Sequence, residues 1–543
     1  MKKTLYFVSI VLLSFASFAQ QGDGGEPFYD NSKSTSAVMD ARSFSQPDVV
    51  SLIAEDVVSD AQKDSPWRFG FNNYTDFNFN NSGTWTDLAN GGKIWQLSLT
   101  CEDALTVNLT FEDLIIPQGN EMYVFNPEKT FILGKFTSKH VYEGQLGTEL
   151  VPGETVIVEY YVAPQNISAE RDLTISTLTH GYRTVAEFQE KAFGSSGSCN
   201  MNSICPDGDP IRDEISSTIM LVSGSNGFCT GAIINNTENN GIPYVLTANH
   251  CYSNPASWIF RFKWASSTCN NPGSSPSFMS LSGAVLRSRR TPSDFCLVEI
   301  TGGLVTPSGS SIPTIPSFYG AFFAGWDNSG DAPTSAHCVH HPSGDIKKVA
   351  FDDNPLTSAT GMPSSEANSQ WELVWDRNTT TEPGSSGSPL FDQNGRIVGQ
   401  LWGGGASCTQ LSSPDYYGKL SVSWDTDAAI SKQLKHWLDP TDSGVETIDG
   451  VIIDGVGLEE LASTLITVFP NPNNGEFSVS LDEVFTTEVN ITVRDLSGRI
   501  VYQNTVANQD TLSIELTDVT NGVYLLELSN DEARVSSRIV VRR

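Results

Sequence analysis

Hydrophobic and polar residues alternate along three stretches before residue 165, as they do in strands with one buried face. The stretches are Ile94–Leu99, Leu105–Phe111 and Thr155–Tyr161, with turns expected at Gly119-Asn120 and Pro152-Gly153. Residues 20 to about 65 are polar and lack a strong period, apart from one short helix expected around Val49 to Val58. The pattern predicts a small all-β domain behind a polar leader, followed by a connector from His180 to Phe193.

A second strand-rich domain is predicted from Gly194 to about Gly444, where Gly and Ser interrupt short apolar runs. One helix is expected to close it. Its predicted apolar face is Ile430, Leu434, Trp437 and Leu438, its cap Asp425 or Thr426, and its stop Pro440. The next residues, 446–464, form an acidic linker.

Short strands recur once more near the end of the chain. They are predicted at Glu488–Val493, Arg499–Gln503, Ser513–Leu516 and Val523–Leu528, with turns at Ser497-Gly498 and Asn521-Gly522. Strands of this length and spacing are typical of a small sandwich.

The N-terminus has the features of a secretory signal. Met1-Lys-Lys3 precedes an apolar stretch from Leu5 to Leu13, and cleavage is expected after Ala19. This stretch is too short for a good membrane span, so the mature chain is expected to be soluble and exported. A formal net charge of -31 argues against a nucleic-acid partner. Nine cysteines in an exported chain suggest disulfides, and the odd number leaves at least one unpaired.

Candidate chemistry begins with Thr381–Phe391, which contains Gly384-Ser385-Ser386-Gly387-Ser388-Pro389. The glycines allow a tight bend that exposes the Ser386 hydroxyl. The same bend can aim the amides of Gly384 and Ser386 at one point, as an oxyanion hole requires. The alternative for this stretch alone is a Gly/Ser surface loop.

Two further residues complete a candidate catalytic triad. His250 ends the apolar run Tyr244–Cys251, and Asp294 begins the run Ser293–Ile300. A serine hydroxyl needs a base, and that base needs an orienting acid. The order His, Asp, Ser is that of the chymotrypsin-like template.

These motifs resemble those of trypsin-like serine peptidases, and more closely those of secreted bacterial lysyl endopeptidases. The resemblance spans about Gly194 to Ile448. It rests on Gly197–Asn200, Cys205–Gly208, Leu246–Cys251, Ser293–Phe295, Ala324–Asp327, His340–Pro342, Thr381–Pro389 and Trp437–Pro440. It implies a mainly β fold with two packed six-stranded barrels, in which Ser386 is the nucleophile, His250 the base and Asp294 the orienter.

The resemblance also implies three disulfides: Cys199–Cys408, Cys205–Cys269 and Cys229–Cys251. Cys296 and Cys338 have no counterpart; they either pair with each other or stay reduced, and Cys296 is expected to be buried. The run His337-Cys338-Val339-His340-His341 has a rival interpretation as a zinc site. Alternation along a strand would separate these side chains, and so neither a metal nor another cofactor is expected.

The outer domains have resemblances of their own. The N-terminal one resembles the propeptide of these peptidases. The C-terminal one resembles the type A sorting domain of the type IX secretion system, through Phe469–Phe477 and Asn521–Tyr524, with a generic adhesive sandwich as the alternative. The expected organisation is a signal peptide (1–19), a propeptide (20–193), a peptidase domain (194–445), a linker (446–464) and a sorting domain (465–543).

The function expected from the resemblance is a secreted or cell-surface serine endopeptidase, a monomer acting on protein or peptide substrates. The alternative is a catalytically silent module that binds protein. Ser385 precedes the nucleophile and carries no charge, so activation is expected by relief of blocking: the propeptide would act as an intramolecular inhibitor until the chain is cut near Lys191 to Gly194.

Cleavage after lysine, with arginine as a second choice, is expected from the substrate pocket. Thr380 stands where trypsin has its selecting aspartate. Lysyl endopeptidases instead carry Asp-x-Tyr-Gly, which here is Asp415-Tyr-Tyr-Gly418. Trp402 and Gly403 are expected to line the pocket. Glu382 is the alternative pocket acid, in which case Asp415 caps a turn.

Overall fold

The computed structural model describes residues 19–28, 39–61, 63–183, 196–273, 275–307, 310–453, 466–469, 473–481, 489–495, 500–506, 511–517, 519–520, 522–529 and 534–542. The chain divides into two compact units, residues 1–304 with 319–453, and residues 305–318 with 454–543. Within the first unit, we call residues 19–183 the N-terminal region and residues 196–304 with 319–453 the central region.

In its described residues, the N-terminal region has one α-helix, and most of its strands form two sheets. The helix is α1 (Val49–Asp60), and the strands are β1 (Ala19–Gln21), β2 (Asp40–Phe44), β3 (Trp67–Arg68), β4 (Gly70–Asn78), β5 (Thr84–Asp87), β6 (Lys93–Cys101), β7 (Thr106–Ile115), β8 (Glu121–Phe125), β9 (Ile132–Phe136), β10 (Leu146–Gly147), β11 (Val151–Pro152), β12 (Thr155–Val162) and β13 (Asp172–Gly181). All of these strands except β1 and β3 belong to the two sheets, of which one has the order β2-β6-β12-β8-β9 and the other β10-β7-β13-β4.

The strands predicted in this region are confirmed, and so is the leader helix. Alternate residues of β6 turn inward, so that Trp95, Leu97 and Leu99 are fully buried between the two sheets. The Asp48 carboxylate caps α1 by accepting a hydrogen bond from the Ser51 amide at 3.1 Å. The predicted connector begins inside β13 and continues into residues 184–195, which lie outside the described chain.

The central region forms two larger sheets. Its strands are β14 (Met201–Asn202), β15 (Thr218–Ser223), β16 (Gly227–Ile233), β17 (Tyr244–Ala248), β18 (Ile259–Phe262), β19 (Phe278–Ser282), β20 (Ala284–Arg290), β21 (Phe295–Ile300), β22 (Phe322–Phe323), β23 (Trp326–Asp327), β24 (Ala336–His340), β25 (Lys348–Asp352), β26 (Thr357–Ala359), β27 (Gln370–Leu373), β28 (Pro389–Asp392), β29 (Ile397–Gly404), β30 (Asp415–Lys419), β31 (Thr447–Ile448) and β32 (Val451–Ile452).

The first central sheet runs β1-β19-β18-β15-β16-β17-β21-β20, with β3 on β16, and the second runs β14-β25-β24-β28-β29-β30-β27-β26, with β23 and β31 beside β29. The predicted mainly β fold class is confirmed. The strand count differs from the expected six in each sheet. Strands β1 and β3 of the N-terminal region pair with the first sheet, and the two-residue strands β14, β23 and β31 belong to the second.

The predicted closing helix is wrong as a single element. The helical segments of the central region are α2 (Arg212–Ser217), α3 (Leu420–Asp425) and α4 (Lys435–Leu438), with a 3-10 turn at Ile430–Lys432. The Leu434 amide donates to the Ser423 carbonyl at 2.9 Å, so the chain folds back on itself there. Leu434 and Leu438 are fully buried, whereas Ile430 remains half exposed.

The N-terminal and central regions share a hydrophobic core. Trp67, Phe69 and Leu150 pack with Met220, Val222, Phe228, Ile259, Trp264, Phe278 and Ile346. Strand β3 pairs antiparallel with β16, Trp67 opposite Phe228, and β1 pairs parallel with β19. The two regions therefore pack as one body.

The C-terminal sandwich predicted from the sequence is confirmed in its described parts. Its strands are β33 (Ile466–Phe469), β34 (Glu476–Leu481), β35 (Val489–Asp495), β36 (Ile500–Val506), β37 (Thr511–Glu515), β38 (Gly522–Ser529) and β39 (Arg534–Val541). They form a three-stranded sheet, β33-β34-β37, and a four-stranded sheet, β36-β35-β38-β39. The predicted turns at Ser497-Gly498 and Asn521 lie outside the described residues. In the part of the chain that the structure covers, no helix is long and apolar enough to cross a membrane.

Candidate active site

The loop that carries Ser386 bends at two glycines with positive φ, 90° at Gly384 and 80° at Gly387. A β-carbon at Gly387 would lie 2.1 Å from the Thr247 hydroxyl, so only glycine fits there. Thr230 ties the loop to β16: its hydroxyl donates to the Gly384 carbonyl at 3.0 Å, and its amide donates to the Ser386 carbonyl at 2.8 Å. The loop conformation is therefore fixed on both sides of the Ser386 hydroxyl.

Paired strands bring His250 and Asp294 together. Strand β17 pairs antiparallel with β21, with Ala248 opposite Phe295, so the residues just beyond these ends lie side by side. His250 Nδ1 lies 2.8 Å from Asp294 Oδ2, and the His250 amide donates to Asp294 Oδ1 at 3.0 Å. Asp294 has a left-handed backbone, φ 52°, which turns its carboxylate toward the histidine.

The electrostatics of this pair suit an orienting acid and a base. Burial raises the pKa of Asp294, while His250 and the backbone amides beside it act in the opposite direction by stabilising the carboxylate. Among the described residues, His250 Nε2 is buried and has no hydrogen-bond partner. The Ser386 hydroxyl donates instead to the carbonyl oxygen of Lys63, at 3.3 Å.

Asp415 is fully buried, and its carboxylate lies in a pocket formed by polar groups. Trp375 Nε1 donates to Asp415 Oδ2 at 2.8 Å, and the Thr381 hydroxyl donates to the same oxygen at 2.5 Å. The Ala406 amide donates to Oδ1 at 3.3 Å. These donors hold the carboxylate in one orientation.

A lysine of the N-terminal region fills the pocket. The Nζ atom of Lys63 lies 3.5 Å from Asp415 Oδ1 and donates to the Thr381 carbonyl at 2.9 Å, the Thr381 hydroxyl at 3.3 Å and the Ala406 carbonyl. Its side chain is 5% exposed. No local sequence pattern marks Lys63, Trp375 or Ala406 as pocket residues. Thr381 is predicted only as the first residue of the Ser386 motif, without a role in the pocket.

The other expected pocket residues, Trp402 and Gly403, lie on β29, which pairs with the strand that carries Asp415. In β29, Gly403 pairs with Tyr416, the neighbour of Asp415, and Trp402 occupies a bulge between Leu401 and Gly403. Neither residue makes a hydrogen bond or ion pair to Lys63 in the described structure. Glu382, the alternative acid, accepts hydrogen bonds from the Gly197 amide at 3.0 and 3.1 Å. The acid that faces Lys63 is Asp415.

The structure forms the three disulfides that the resemblance implied, Cys199–Cys408, Cys205–Cys269 and Cys229–Cys251. The last of these fixes the residue next to His250. Cys101, Cys296 and Cys338 are free and buried, so the alternative pairing of Cys296 with Cys338 is wrong. Burial raises the pKa of all three thiols, to about 12 for Cys101 and Cys338.

The three histidines of the run His337–His341 have different neighbours. His337 stacks on Phe391, His340 Nδ1 lies 2.8 Å from the Ser385 hydroxyl, and His341 Nδ1 lies 2.9 Å from the Asp345 carbonyl. Across the described ranges, no group of three or more His, Cys, Asp or Glu side chains could hold a metal ion.

Comparison with protein families matches two parts of the chain. Residues 193–418 match the model described as lysyl endopeptidase, C-terminal domain. This match covers less than half of the chain. The matched residues include His250, Asp294, Ser386 and Asp415, and they exclude Lys63. Residues 467–542 match the secretion system C-terminal sorting domain.

Solved protease structures are also similar to the chain. A kallikrein-related peptidase 10 complex with Zn2+ has 16% identity and a TM-score of 0.25, over 38% of this chain and 90% of that one. The HtrA-type protease AlgW with a tripeptide has 12% identity and a TM-score of 0.25, over 61% of this chain and 94% of that one.

The two family matches define the coarse function. The lysyl endopeptidase domain supports a serine peptidase that acts on peptide substrates. The sorting domain indicates type IX export, with secretion or attachment to the cell surface.

Proposed function

We propose that the chain is a secreted serine endopeptidase that cleaves peptide bonds after lysine and is made as an inactive precursor. One observation carries this proposal. The Lys63 ammonium lies 3.5 Å from the Asp415 carboxylate, while the carbonyl oxygen of the same lysine lies 3.3 Å from the Ser386 hydroxyl. A lysine in the pocket thus brings its own carbonyl to the candidate nucleophile, as cleavage after that lysine requires.

The proposed chemistry gives one role to each of the three candidate residues. As Ser386 Oγ attacks the substrate carbonyl carbon, His250 Nε2 takes the hydroxyl proton and Asp294 stabilises the imidazolium through Nδ1. The carbonyl electron pair moves to oxygen, where the amides of Gly384 and Ser386 are the proposed donors. Collapse breaks the C–N bond, and His250 gives its proton to the leaving amine. Water then repeats these steps on the acyl-enzyme and releases the acid product.

Lysine selectivity follows from the acceptors that surround its Nζ atom. An ammonium has three donors, and the pocket offers the Thr381 carbonyl, the Ala406 carbonyl and the Asp415 carboxylate. A planar guanidinium presents five donors in a fixed fork, which this compact set of acceptors matches less well. Arginine is therefore the second choice.

A fluorophosphonate probe tests the peptidase against the alternative of a silent binding module. The probe should label the chain once its N-terminal fragment has been removed, and Ser386→Ala should abolish this labelling, whereas Ser388→Ala, which removes a neighbouring hydroxyl, should keep it. Losing the nucleophile should lower kcat by many powers of ten, because the triad acts as a unit. Folded protein that has lost its N-terminal fragment and still takes no label would favour the silent module. Profiling on a peptide library should show lysine before the cleaved bond.

A further inference from the structure

The expected cleavage site between the propeptide and the peptidase domain, near Lys191 to Gly194, is outside the described residues. The contacts between the N-terminal and central regions are made by residues far from this site in the sequence. Strand β3 pairs with β16, and Phe69 stacks on Phe228 with ring centroids 4.4 Å apart. Glu149 of the N-terminal region and Arg261 of the central region form a salt bridge in which both side chains are fully buried. None of these contacts requires an intact peptide link at the junction.

The N-terminal region also holds the Lys63 segment in place by itself. Helix α1 ends three residues before Lys63, and its Asp56 carboxylate binds Arg68 at 2.7 Å and Arg183 at 3.1 Å. The Arg183 guanidinium also reaches Asp60 at 2.7 Å. These ion pairs fix the chain before and after Lys63. The lysine is therefore presented by a preorganised loop, which lowers the entropy cost of binding.

Lys63 does not lie in the pocket as a substrate bound for attack. Its backbone has φ 51°, a left-handed conformation that is uncommon for any residue with a side chain. Its carbonyl oxygen accepts from the Ser386 hydroxyl. Within the described structure, the amides of Gly384 and Ser386 donate no hydrogen bond to it, so the oxygen is outside the proposed oxyanion hole.

We propose that Lys63 anchors an uncut inhibitor, so that the N-terminal region stays bound to the peptidase domain and blocks it after the junction is cut. The partner of the substrate cleft is thus the chain's own freed propeptide. Activation then needs a second event that removes or degrades this fragment. The inference rests on the proposed function, because an inhibitor matters only if the domain cleaves after lysine.

The test uses the exported chain, residues 20–543, with Lys191→Gln and a recognition sequence for an unrelated cysteine protease inserted at the junction. After that protease cuts, the two fragments should co-elute in size-exclusion chromatography. Hydrolysis of a lysyl chromogenic amide should stay below about a tenth of the rate after subtilisin has digested the N-terminal fragment. Mass spectrometry should find the Lys63–Asp64 bond intact.

Lys63→Ala removes one partner of a buried charged pair, which costs about 2 kcal/mol or more. The dissociation constant of the cut complex, measured with Ser386→Ala, should therefore rise roughly 30-fold or more. Lys93→Ala is the matched control, because this lysine of the same region lies on the surface beside Asp87. Thermal unfolding reports whether the variants fold. If Lys63→Ala does not fold, Lys63→Met, which keeps the aliphatic part of the side chain, takes its place.

The outcomes separate the two proposals. A cut complex that is fully active, rapid cleavage after Lys63, or equal dissociation constants for the Lys63 and Lys93 variants would overturn the inhibitor. A subtilisin-treated enzyme that is folded yet inert toward lysyl substrates would instead overturn the proposed function.

Discussion

Replacing Asp415 by Asn isolates the charge of the substrate pocket. The Asn side chain has the same shape and keeps an oxygen that can accept from Thr381 or Trp375. It loses the negative charge that lies 3.5 Å from the lysine Nζ. At an effective dielectric constant of about 20, two charges at this distance attract by roughly 4–5 kcal/mol. Measured costs of removing one partner of a buried charged pair are about 2–5 kcal/mol.

This range predicts that kcat/KM for lysyl substrates falls by roughly 30- to 5,000-fold in Asp415→Asn. The assay compares two peptides that differ only in lysine or methionine before the cleaved bond. It uses enzyme freed of its N-terminal fragment and titrated for active sites, since the same variant should also loosen Lys63. The methionine peptide should change little, so the preference for lysine should collapse.

Glu382→Gln is the matched control, since this neighbouring acid accepts hydrogen bonds from the Gly197 amide and does not face Lys63. It should keep both the rate and the lysine preference. If Asp415→Asn keeps full lysyl selectivity, or if Glu382→Gln loses it, the assignment of the pocket acid is wrong.

Three further changes probe the same site. Thr381→Val removes a donor to Asp415 and an acceptor for the lysine ammonium, so kcat/KM for lysyl peptides should fall about tenfold or more, whereas Thr381→Ser should keep most of it. Asp294→Asn should lower kcat by about 10⁴-fold in a protein that unfolds at the same denaturant concentration; a drop of less than tenfold would contradict its role as orienter. Burial lowers the pKa of His340 to about 3, against about 6.5 when unfolded, so the unfolded chain binds more protons between these pH values. The free energy of unfolding should therefore fall as the pH drops through this window. His340→Gln, made in the Ser386→Ala parent and compared with it by denaturant unfolding at pH 7 and pH 4.5, should reduce this pH dependence by up to about 1.4 kcal/mol per pH unit. An unchanged pH dependence would show that His340 titrates normally.

The parts of this protein that were predictable from sequence are those governed by local pattern. Alternation of hydrophobic and polar residues located β6, β7 and β12. In β6 this alternation matches the burial of Trp95, Leu97 and Leu99. Motifs singled out His250 and Asp294, which the structure joins by a 2.8 Å hydrogen bond.

The parts that were not predictable depend on partners distant in sequence. Residues 430–438 have hydrophobic side chains at helical spacing, which predicted one helix. The Leu434 amide donates to the Ser423 carbonyl instead, and the segment forms a 3-10 turn and a short helix. Thr381 and Trp375 are pocket residues only because the chain just after β27 and the start of the Ser386 motif both reach Asp415. Lys63 stands in a polar stretch whose pattern resembles any solvated loop.

If Lys63 anchors an inhibitor, as proposed, the Lys63–Asp415 contact links substrate preference and inhibition through the same pair of residues. The two residues are 352 positions apart, yet each is the other's ionic partner. A mutation that changes the pocket to suit another side chain would then also weaken the binding of the inhibitor, unless position 63 changes as well. Across relatives with different preferences, the two positions should therefore change together, and residue 63 of a precursor should report what its mature enzyme cuts.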